Sequence, residues 1–256
     1  ELKKPMTDIP FFLNLFASEN GRYEMNTHFN HTFNDYWSTG FYIHGNKRSQ
    51  KFDNNDDGFL DLPLSDQINL MNRWQYTDFE KGWVSFLSWR YMNDEKLLGT
   101  ISYNPKKDMG LKNRWGSEIK TKRWDASIKI GYVFPEIPYQ SFGLQTAYSS
   151  HDQNSYYGLR TYDINQQSFY TNLIFNSIIG NTLNKFKVGF NYSFDDYVEQ
   201  VNDDRFNRMD QNMGGFFEFT HDNNDNFSWI AGFRIDFHNN LGTFFTPRLH
   251  LRYVPF

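Results

Sequence analysis

The sequence predicts an all-β protein, an antiparallel transmembrane β-barrel, and three observations support this fold class. Segments of about ten residues, enough for a tilted strand to cross a bilayer, alternate apolar and polar side chains. Residues 185–194 (KFKVGFNYSF) show this alternation most clearly. Aromatic residues make up 20% of the chain, as strands and membrane interfaces favour. Long and short polar connections alternate between the segments, which is typical of outer-membrane barrels.

Composition excludes several other classes of protein. The mean hydropathy is -0.73, and no apolar run approaches the roughly 18 residues of a membrane-spanning helix, so a helical membrane protein is excluded. Cysteine is absent, which rules out disulfides and thiol chemistry. The net charge of -4 gives no electrostatic footprint for nucleic acid, and the one basic cluster, residues 120–123, is interpreted as a solvated loop edge. Residues 1–5 carry no secretory signal.

About twelve strands follow from the alternating pattern and the turn residues. Asn20-Gly21 is a strong hairpin signal after the first strand. Two prolines at 135 and 138 indicate a tight connection, and Pro247 belongs at the start of the last strand because proline donates no ladder hydrogen bond. The strands are predicted at residues 11–18, 22–33, 37–46, 68–76, 83–92, 124–134, 141–150, 167–176, 185–194, 212–221, 227–238 and 246–254.

Four connections are predicted to be long polar loops, and the connections between them are predicted to be short turns. The long loops fall at residues 47–66, 93–121, 151–165 and 197–209. Because outer-membrane barrels have short periplasmic turns and longer outside loops, these four are expected outside the cell.

The polar face of the strands decides between a barrel and a water-soluble sandwich. In a sandwich core these charged side chains would be unpaired and costly, whereas a wide barrel exposes them to a wet lumen or a plug. The apolar face then contacts lipid. The side chains predicted to face the lumen include Arg22, Glu24, His28, Lys187, Arg234, Asp236, His238, Arg248 and His250.

The first long loop contains a motif with the spacing of a calcium-binding loop. Alternate oxygen ligands are offered by Asp53, Asn55, Asp57, the carbonyl of Phe59 and Asp61, and Gly58 permits the sharp bend. The bidentate glutamate of the twelfth position is missing, since Leu64 stands there. The alternative is an acidic, solvated loop.

No other motif indicates catalysis. The histidines at 28, 44, 238 and 250 lie on polar strand faces without paired spacing, so hydrogen bonding to lumen water or a plug explains them better than metal or haem binding. His31 lies on the apolar face, where a barrel lipase would need a serine partner that the sequence does not supply. Phosphate-binding glycine loops, nucleophile elbows and zinc motifs are absent from the sequence. The prediction is therefore that the chain is not an enzyme.

Several short motifs, in order along the chain, resemble TonB-dependent outer-membrane receptors of the Bacteroidetes type. They are residues 53–64 (DNNDDGFLDLPL), 70–76 (LMNRWQY), 142–145 (FGLQ) followed by His151-Asp152, 158–162 (GLRTY) and 244–253 (FFTPRLHLRY). The resemblance implies a barrel of about 22 strands, closed by a plug and energised through TonB. Such receptors import scarce nutrients such as a siderophore, haem, cobalamin, a glycan or a peptide.

The chain departs from this pattern, which leads to a prediction about its extent. The plug and its TonB-contacting segment are missing, and Phe256 is out of phase with the outward residues Leu249, Leu251 and Tyr253. Residues 1–256 are therefore expected to be a middle portion of a barrel in the outer membrane, with lipid, TonB and a surface lipoprotein as partners. Two alternatives remain: a self-contained barrel acting as a passive channel or envelope enzyme, or a barrel subunit of a larger envelope complex. Pairing of the first strand with the last would favour self-containment.

Overall fold

The computed structural model describes residues 5–223 and 226–254 and forms one antiparallel sheet of twelve strands. The only helix in this part of the chain is short, and no helix there is long and apolar enough to cross a membrane. The elements are β1 Phe11–Ala17, β2 Arg22–Thr32, β3 Trp37–Arg48, β4 Leu64–Asp78, β5 Trp83–Gly99, α1 Pro105–Asp108, β6 Gly116–Val133, β7 Ser141–Tyr157, β8 Arg160–Ile179, β9 Asn181–Val201, β10 Asp204–Asp222, β11 Phe227–His238 and β12 Gly242–Tyr253.

Each strand pairs with its neighbours in sequence, in the order β1 to β12. All twelve predicted strands are present, and β11 has the predicted bounds. The Asn20-Gly21 hairpin is also confirmed: Gly21 has a φ of 63°, and its N–H donates to the carbonyl of Ser18. Within the described residues β1 pairs only with β2 and β12 only with β11, so the sheet is open at both edges.

Two of the predicted long loops are wrong, because the strands continue through them. β7 and β8 are joined by a two-residue turn at Gly158-Leu159, and β9 and β10 by a turn at Asn202-Asp203. The other two loops are shorter than predicted, at residues 49–63 and 100–115. The strand extensions are mostly polar on both faces, so they lack the regular apolar periodicity from which strands are predicted.

No element in the described part of the chain forms a second layer on the sheet. Among the described residues, the large apolar side chains that are buried are Tyr103, in the loop between β5 and β6, and Tyr156, in the part of β7 that extends beyond the apolar band. Large apolar side chains such as Phe29, Phe190 and Phe237 are exposed along the strands. A water-soluble sandwich would bury these rings between two sheets, so the structure does not support that alternative.

The terminal residues of two predictions lie outside the described part of the chain. These are the proposed join at residues 1–5, of which only Pro5 is described, and the turn that would contain Pro255 and Phe256.

Candidate functional site

The register of the sheet places the nine predicted lumen residues on one face. Paired residues of neighbouring antiparallel strands point to the same side, and residues two apart on a strand share a face. Gly214 pairs with both Asn191 and Asp236, and Gly232 pairs with Arg248, which connects the polar residues of β9 to β12. The same parity continues through every ladder back to His28 on β2. We call this surface the polar face.

A compact hydrogen-bond network crosses β9, β10 and β11 on the polar face. The Arg234 guanidinium donates to Asp236 through Nε and Nη2 at 2.5 and 2.6 Å, and to Asn191 Oδ1 at 2.5 Å. Asn212 Nδ2 donates to Asp236 Oδ1 at 3.2 Å. Gly214 lies in the middle of this network, where a Cβ atom would stand 2.2 Å from Asp236 Oδ1. Because Gly214 has no side chain, Arg234 and Asp236 have the room to form their ion pair.

A second charged cluster lies toward the other end of the same strands. Lys187 Nζ and Arg248 Nη1 lie 3.4 and 3.6 Å from the two carboxylate oxygens of Glu218. His238 lies at the end of β11, and its Nδ1 accepts from the backbone N–H of Asn240 at 3.1 Å. His238 thus stabilises the turn between β11 and β12.

Three more of the predicted residues, Arg22, Glu24 and His28, lie on the polar face of β2, and the last, His250, lies on β12 opposite Ile230. Arg22 donates to Glu24 at 2.6 Å, and Asn26 links Glu24 to His44 through bonds of 3.2 and 2.6 Å. His28 is 4% exposed: its ring stacks on Phe12 at 5.4 Å, and its Nε2 lies 3.2 Å from the carbonyl of Ile9. The chain just before β1 therefore lies against the polar face at His28.

Sequence reasoning missed a third polar cluster, on β5 and β6. Asp125 accepts from Arg123 Nε through both carboxylate oxygens, at 2.9 and 3.1 Å, and Arg90 Nε lies 3.3 Å from Asp125 Oδ2. Arg123 was included in the basic cluster interpreted as a loop edge, but residues 120–123 lie inside β6. Strand parity sends Arg123 to the polar face and Lys122 to the opposite one.

The opposite face, which we call the outer face, is dominated by aromatic rings at two levels. Trp83 and Tyr132 meet at 4.5 Å near the short turns, and Tyr91 and Trp124 meet at 4.5 Å further along the same strands, on the side of the long loops. Trp83 and Tyr91 are separated by roughly 26 Å along β5, comparable with the apolar band of a bacterial barrel, about 25 Å tall. Between the levels, five rings form a row with centroid separations of 6.0–6.3 Å: Phe175, Phe186, Phe217, Phe233 and Phe245.

The two long connections pack against each other beyond the upper aromatic level. The N–H of Leu60 donates to the carbonyl of Gly99, and the N–H of Ile101 donates to the carbonyl of Gly58, both at 2.9 Å. The Tyr103 hydroxyl donates to the Tyr156 hydroxyl at 3.0 Å, and burial together with this bond raises the pKa of Tyr156. The loops are thus held as one ordered rim.

The predicted calcium ligands lie together in the loop between β3 and β4. Asp53 accepts from the N–H groups of Asp57 and Gly58 at 3.0 and 2.9 Å, and Asp61 accepts from the N–H of Asn54 at 2.9 Å. Within the described ranges, no group of three His, Cys, Asp or Glu side chains is arranged to hold a metal ion. The predicted ligand set also includes the Asn55 side chain and the Phe59 carbonyl, which are not among these four types of side chain. Calcium binding therefore stays a prediction.

No protein-family model matches the chain, and no curated protein sequence matches it. Solved structures do match. The siderophore receptor PirA of Pseudomonas aeruginosa is 11% identical with a TM-score of 0.63, and the match covers 96% of this chain and 39% of PirA. The ferric enterobactin receptor PfeA of the same species, a Q482A mutant in complex with enterobactin, is 11% identical with a TM-score of 0.69, covering 96% and 42%.

The alcaligin outer-membrane receptor FauA of Bordetella pertussis is 9% identical with a TM-score of 0.69, and the match covers 99% of this chain and 42% of FauA. The chain therefore spans about two fifths of the length of these structures. At such identities the likeness shows the fold alone. That fold is the one of TonB-dependent siderophore receptors, so the predicted fold class is confirmed and the sequence resemblance agrees with it.

Proposed function

We propose that the chain forms part of the barrel wall of a TonB-dependent receptor, which lies in the outer membrane and imports a scarce nutrient. The observation that carries this proposal is a single twelve-stranded sheet, apolar on one face and polar on the other, that matches siderophore receptors over nearly its whole length. The outer face then contacts lipid, and the nine polar-face residues line the lumen. Transport, not catalysis, is the proposed activity.

A siderophore is the proposed substrate class, because the matched receptors are described as receptors for siderophores, ferric enterobactin and alcaligin. Haem, cobalamin, glycans and peptides are the other candidates that the resemblance implies. Coupling to TonB through a plug segment belongs to the same proposal.

Uptake in cells tests the proposed function. Cells that carry the receptor should accumulate iron from a labelled ferric siderophore, and deletion of TonB should abolish this uptake while leaving the receptor in the membrane. Uptake that persists without TonB would contradict the proposal and favour a passive channel. Receptor-deficient cells that express TonB supply the baseline.

The second candidate function is a self-contained channel or envelope enzyme. The open edges of β1 and β12 oppose it, because unpaired strand edges leave backbone groups unsatisfied in lipid. Further strands on these edges would complete a wider barrel. A third candidate, a barrel that serves a surface lipoprotein or a secretion complex, predicts a stable partner on purification and no uptake defect when the gene is deleted.

The proposed orientation puts the rim formed by the long loops outside the cell. Trypsin added to intact cells should cut after Lys106 and Lys107, which are exposed in the loop between β5 and β6. Lys81, in the short turn between β4 and β5, is 76% exposed and should be cut only after the envelope is opened. Cutting at Lys81 alone in intact cells would reverse the orientation.

We also propose that the loop between β3 and β4 binds calcium through Asp53, Asn55, Asp57, the Phe59 carbonyl and Asp61. The convergence of Asp53 and Asp61 on the loop backbone supports this proposal. Calorimetric titration should give a dissociation constant of roughly 10⁻⁴–10⁻³ M, as in other extracellular calcium modules. The Asp57→Ala variant should show no heat of calcium binding. Identical isotherms for the two proteins would contradict calcium binding by this loop.

A further inference from the structure

The outer face has an apolar pocket where β3, β4, β5 and β6 run side by side near the short turns. Register pairs place its walls on this face: Tyr76 stands opposite Ser85, and Trp74 stands opposite Leu87. Ser85 is the smallest of these side chains, so the face is hollow there between larger neighbours. The pocket has a volume of about 290 Å³, and its lining includes Trp37, Trp74, Tyr76, Ser85, Leu87 and Ile128.

Aromatic contacts hold the wall of the pocket in place. The Trp37 ring lies 4.9 Å from Tyr76 and 6.5 Å from Trp74, measured between ring centroids. Phe33 stacks on Trp74 at 5.6 Å with an angle of 1° between the ring planes. Because these rings already contact one another, the pocket is formed before any ligand enters it, as is usual for small-molecule sites.

A cation is fixed at the turn end of the pocket by a series of contacts. The Tyr76 hydroxyl donates to Asp78 Oδ2 at 3.4 Å, and Lys81 Nζ lies 3.5 Å from the same oxygen. The backbone N–H of Lys81 also donates to Asp78 Oδ1 at 2.9 Å. The Asp78 side chain is 3% exposed and the Lys81 side chain is 76% exposed. The carboxylate is therefore covered, while most of the lysine surface is accessible to another partner.

The cation, the aromatic level and the pocket follow one another along a single hairpin. Ser85 and Leu87 lie two and four positions beyond Trp83, or roughly 7 and 13 Å along β5, toward the middle of the apolar band. Lys81 lies two positions before Trp83, in the turn between β4 and β5, where Phe79 is 83% exposed. The order from the turn inward is a charge, an interfacial ring and an apolar pocket. A phospholipid has its phosphate and its acyl chain in the same order.

We propose that this pocket binds one phospholipid from the leaflet on the side of the short turns. Part of an acyl chain lies against Ser85, and the phosphate lies beside the complementary charge of Lys81. A volume of about 290 Å³ is near the lower end of the range of small-molecule sites, roughly 300–1,000 Å³, so the pocket takes part of one chain and not a whole lipid. Because bulk lipid tails are as apolar as the pocket, retention depends on close packing and on the phosphate contact. The inference rests on the proposed outer-membrane location.

Native mass spectrometry of the purified full-length protein in a neutral detergent tests the phosphate contact. The protein is offered dioleoyl phosphatidylethanolamine or dioleoylglycerol, which share acyl chains, but only the first has a phosphate. One phosphatidylethanolamine should be retained in preference to dioleoylglycerol. Lys81→Gln should weaken its binding by about fivefold, whereas Lys81→Arg should retain it. The control is Lys185→Gln, an exposed lysine on the polar face, which should bind as the wild type does.

The variant Ser85→Leu tests the pocket itself, because the larger side chain would fill the space assigned to the acyl chain. Phosphatidylethanolamine should bind about tenfold more weakly, which corresponds to the loss of roughly ten carbon–carbon contacts. Ser177→Leu is the matched control. Ser177 stands opposite the outward Phe186, and like Ser85 it is the second outward residue from a short turn, but it does not line the pocket.

Each outcome bears on the lipid assignment separately from transport. Equal retention of the two lipids, or equal losses in Ser85→Leu and Ser177→Leu, would overturn the inference. A dimer of the protein that Ser85→Leu dissociates would show that a second copy fills the pocket, and would overturn it as well. The variants should keep the wild-type melting temperature in detergent and the wild-type rate of TonB-dependent uptake. Failure of lipid binding with uptake intact would contradict only this inference, and absence of TonB-dependent uptake in the wild type would contradict only the transport function.

Discussion

Two neighbouring residues of β9 show how differently the two faces of the sheet are built. Phe190, on the outer face, is 42% exposed, whereas Asn191, on the polar face, is 7% exposed. Phe190 pairs with Leu173 and Gly215, and its ring has room beside it. Asn191 accepts a hydrogen bond from Arg234, which also binds Asp236. The apolar side chain of Phe190 is exposed and the polar side chain of Asn191 is covered. In the sheet of a water-soluble protein, the apolar side chain would be the covered one.

This reversal indicates which solvent each face is built for. Lipid tails contact apolar rings without any directional requirement, so the outer face needs no protein partner to cover it. Polar groups that are largely covered, such as Asn191, need hydrogen-bond partners, and on the polar face neighbouring side chains supply them. The following variants test this difference, beginning with the largest expected effect.

The variant Phe190→Arg puts a charge into the middle of the outer face. If that face contacts lipid, the free energy of unfolding should fall by roughly 2–4 kcal/mol, the cost of arginine at the bilayer midplane of a barrel. Denaturant titration of the protein in neutral lipid vesicles measures this change. A cost well below 1 kcal/mol would mean that Phe190 faces water, and the assignment of the two faces would have to be exchanged.

The variant Gly214→Ala tests the polar face at its most crowded point. The new methyl group would push Asp236 and Arg234 apart, so unfolding should become easier by about 1–3 kcal/mol, the usual cost of overpacking. Gly215→Ala is the matched control: it is the next residue, points to the outer face and would meet only the carbonyl of Gly189 at 3.8 Å. Similar losses of stability for the two variants would show that no closed network surrounds Gly214.

The strands that cross the apolar band could be predicted from the sequence because alternation there has a physical cause. In the proposed barrel each outward position meets lipid and each inward position does not, so apolar and polar residues should alternate. They do so in β11 with one exception, Ile230, which shares the polar face. Beyond the band both faces are wet, and this constraint ends. β7 continues through His151 and Asp152 to Tyr157 with no apolar period, which is why a loop was predicted there.

Which residues share the polar face was also predictable, but their partners were not. Strand parity placed Arg234 and Asp236 together, since residues two apart on one strand are neighbours. Asn191 and Asn212 join them only through the register of β9, β10 and β11, which depends on pairings between strands and not on local sequence. The Tyr103–Tyr156 contact spans 53 positions, and no pattern in the loop predicts it.

The variant Tyr156→Phe tests the extension beyond the band, where the outer face is covered by protein. Removing the acceptor of the buried Tyr103 hydroxyl should cost about 1 kcal/mol, the typical contribution of one hydrogen bond. Tyr157→Phe, the adjacent residue on the polar face, is 43% exposed and should have almost no effect. Thermal unfolding, together with the rate of tryptic cutting at Lys107, measures the result. Faster cutting in the Tyr157 variant than in the Tyr156 variant would contradict the covered outer face.

The smallest effect is expected for Lys187→Gln, on the same strand as Phe190 and on the opposite face. The Lys187 side chain is 55% exposed, and its ion pair with Glu218 has a separation of 3.4 Å. Exposed pairs of this kind contribute about 0–1 kcal/mol, and Arg248 would remain 3.6 Å from Glu218, so the expected loss is a few tenths of a kcal/mol. The measurement is the same denaturant titration used for Phe190→Arg. Replacing Arg248 as well should increase the loss, because Glu218 would then have no cation beside it. If Lys187→Gln alone cost as much as Phe190→Arg, the polar face could not be the wetter of the two.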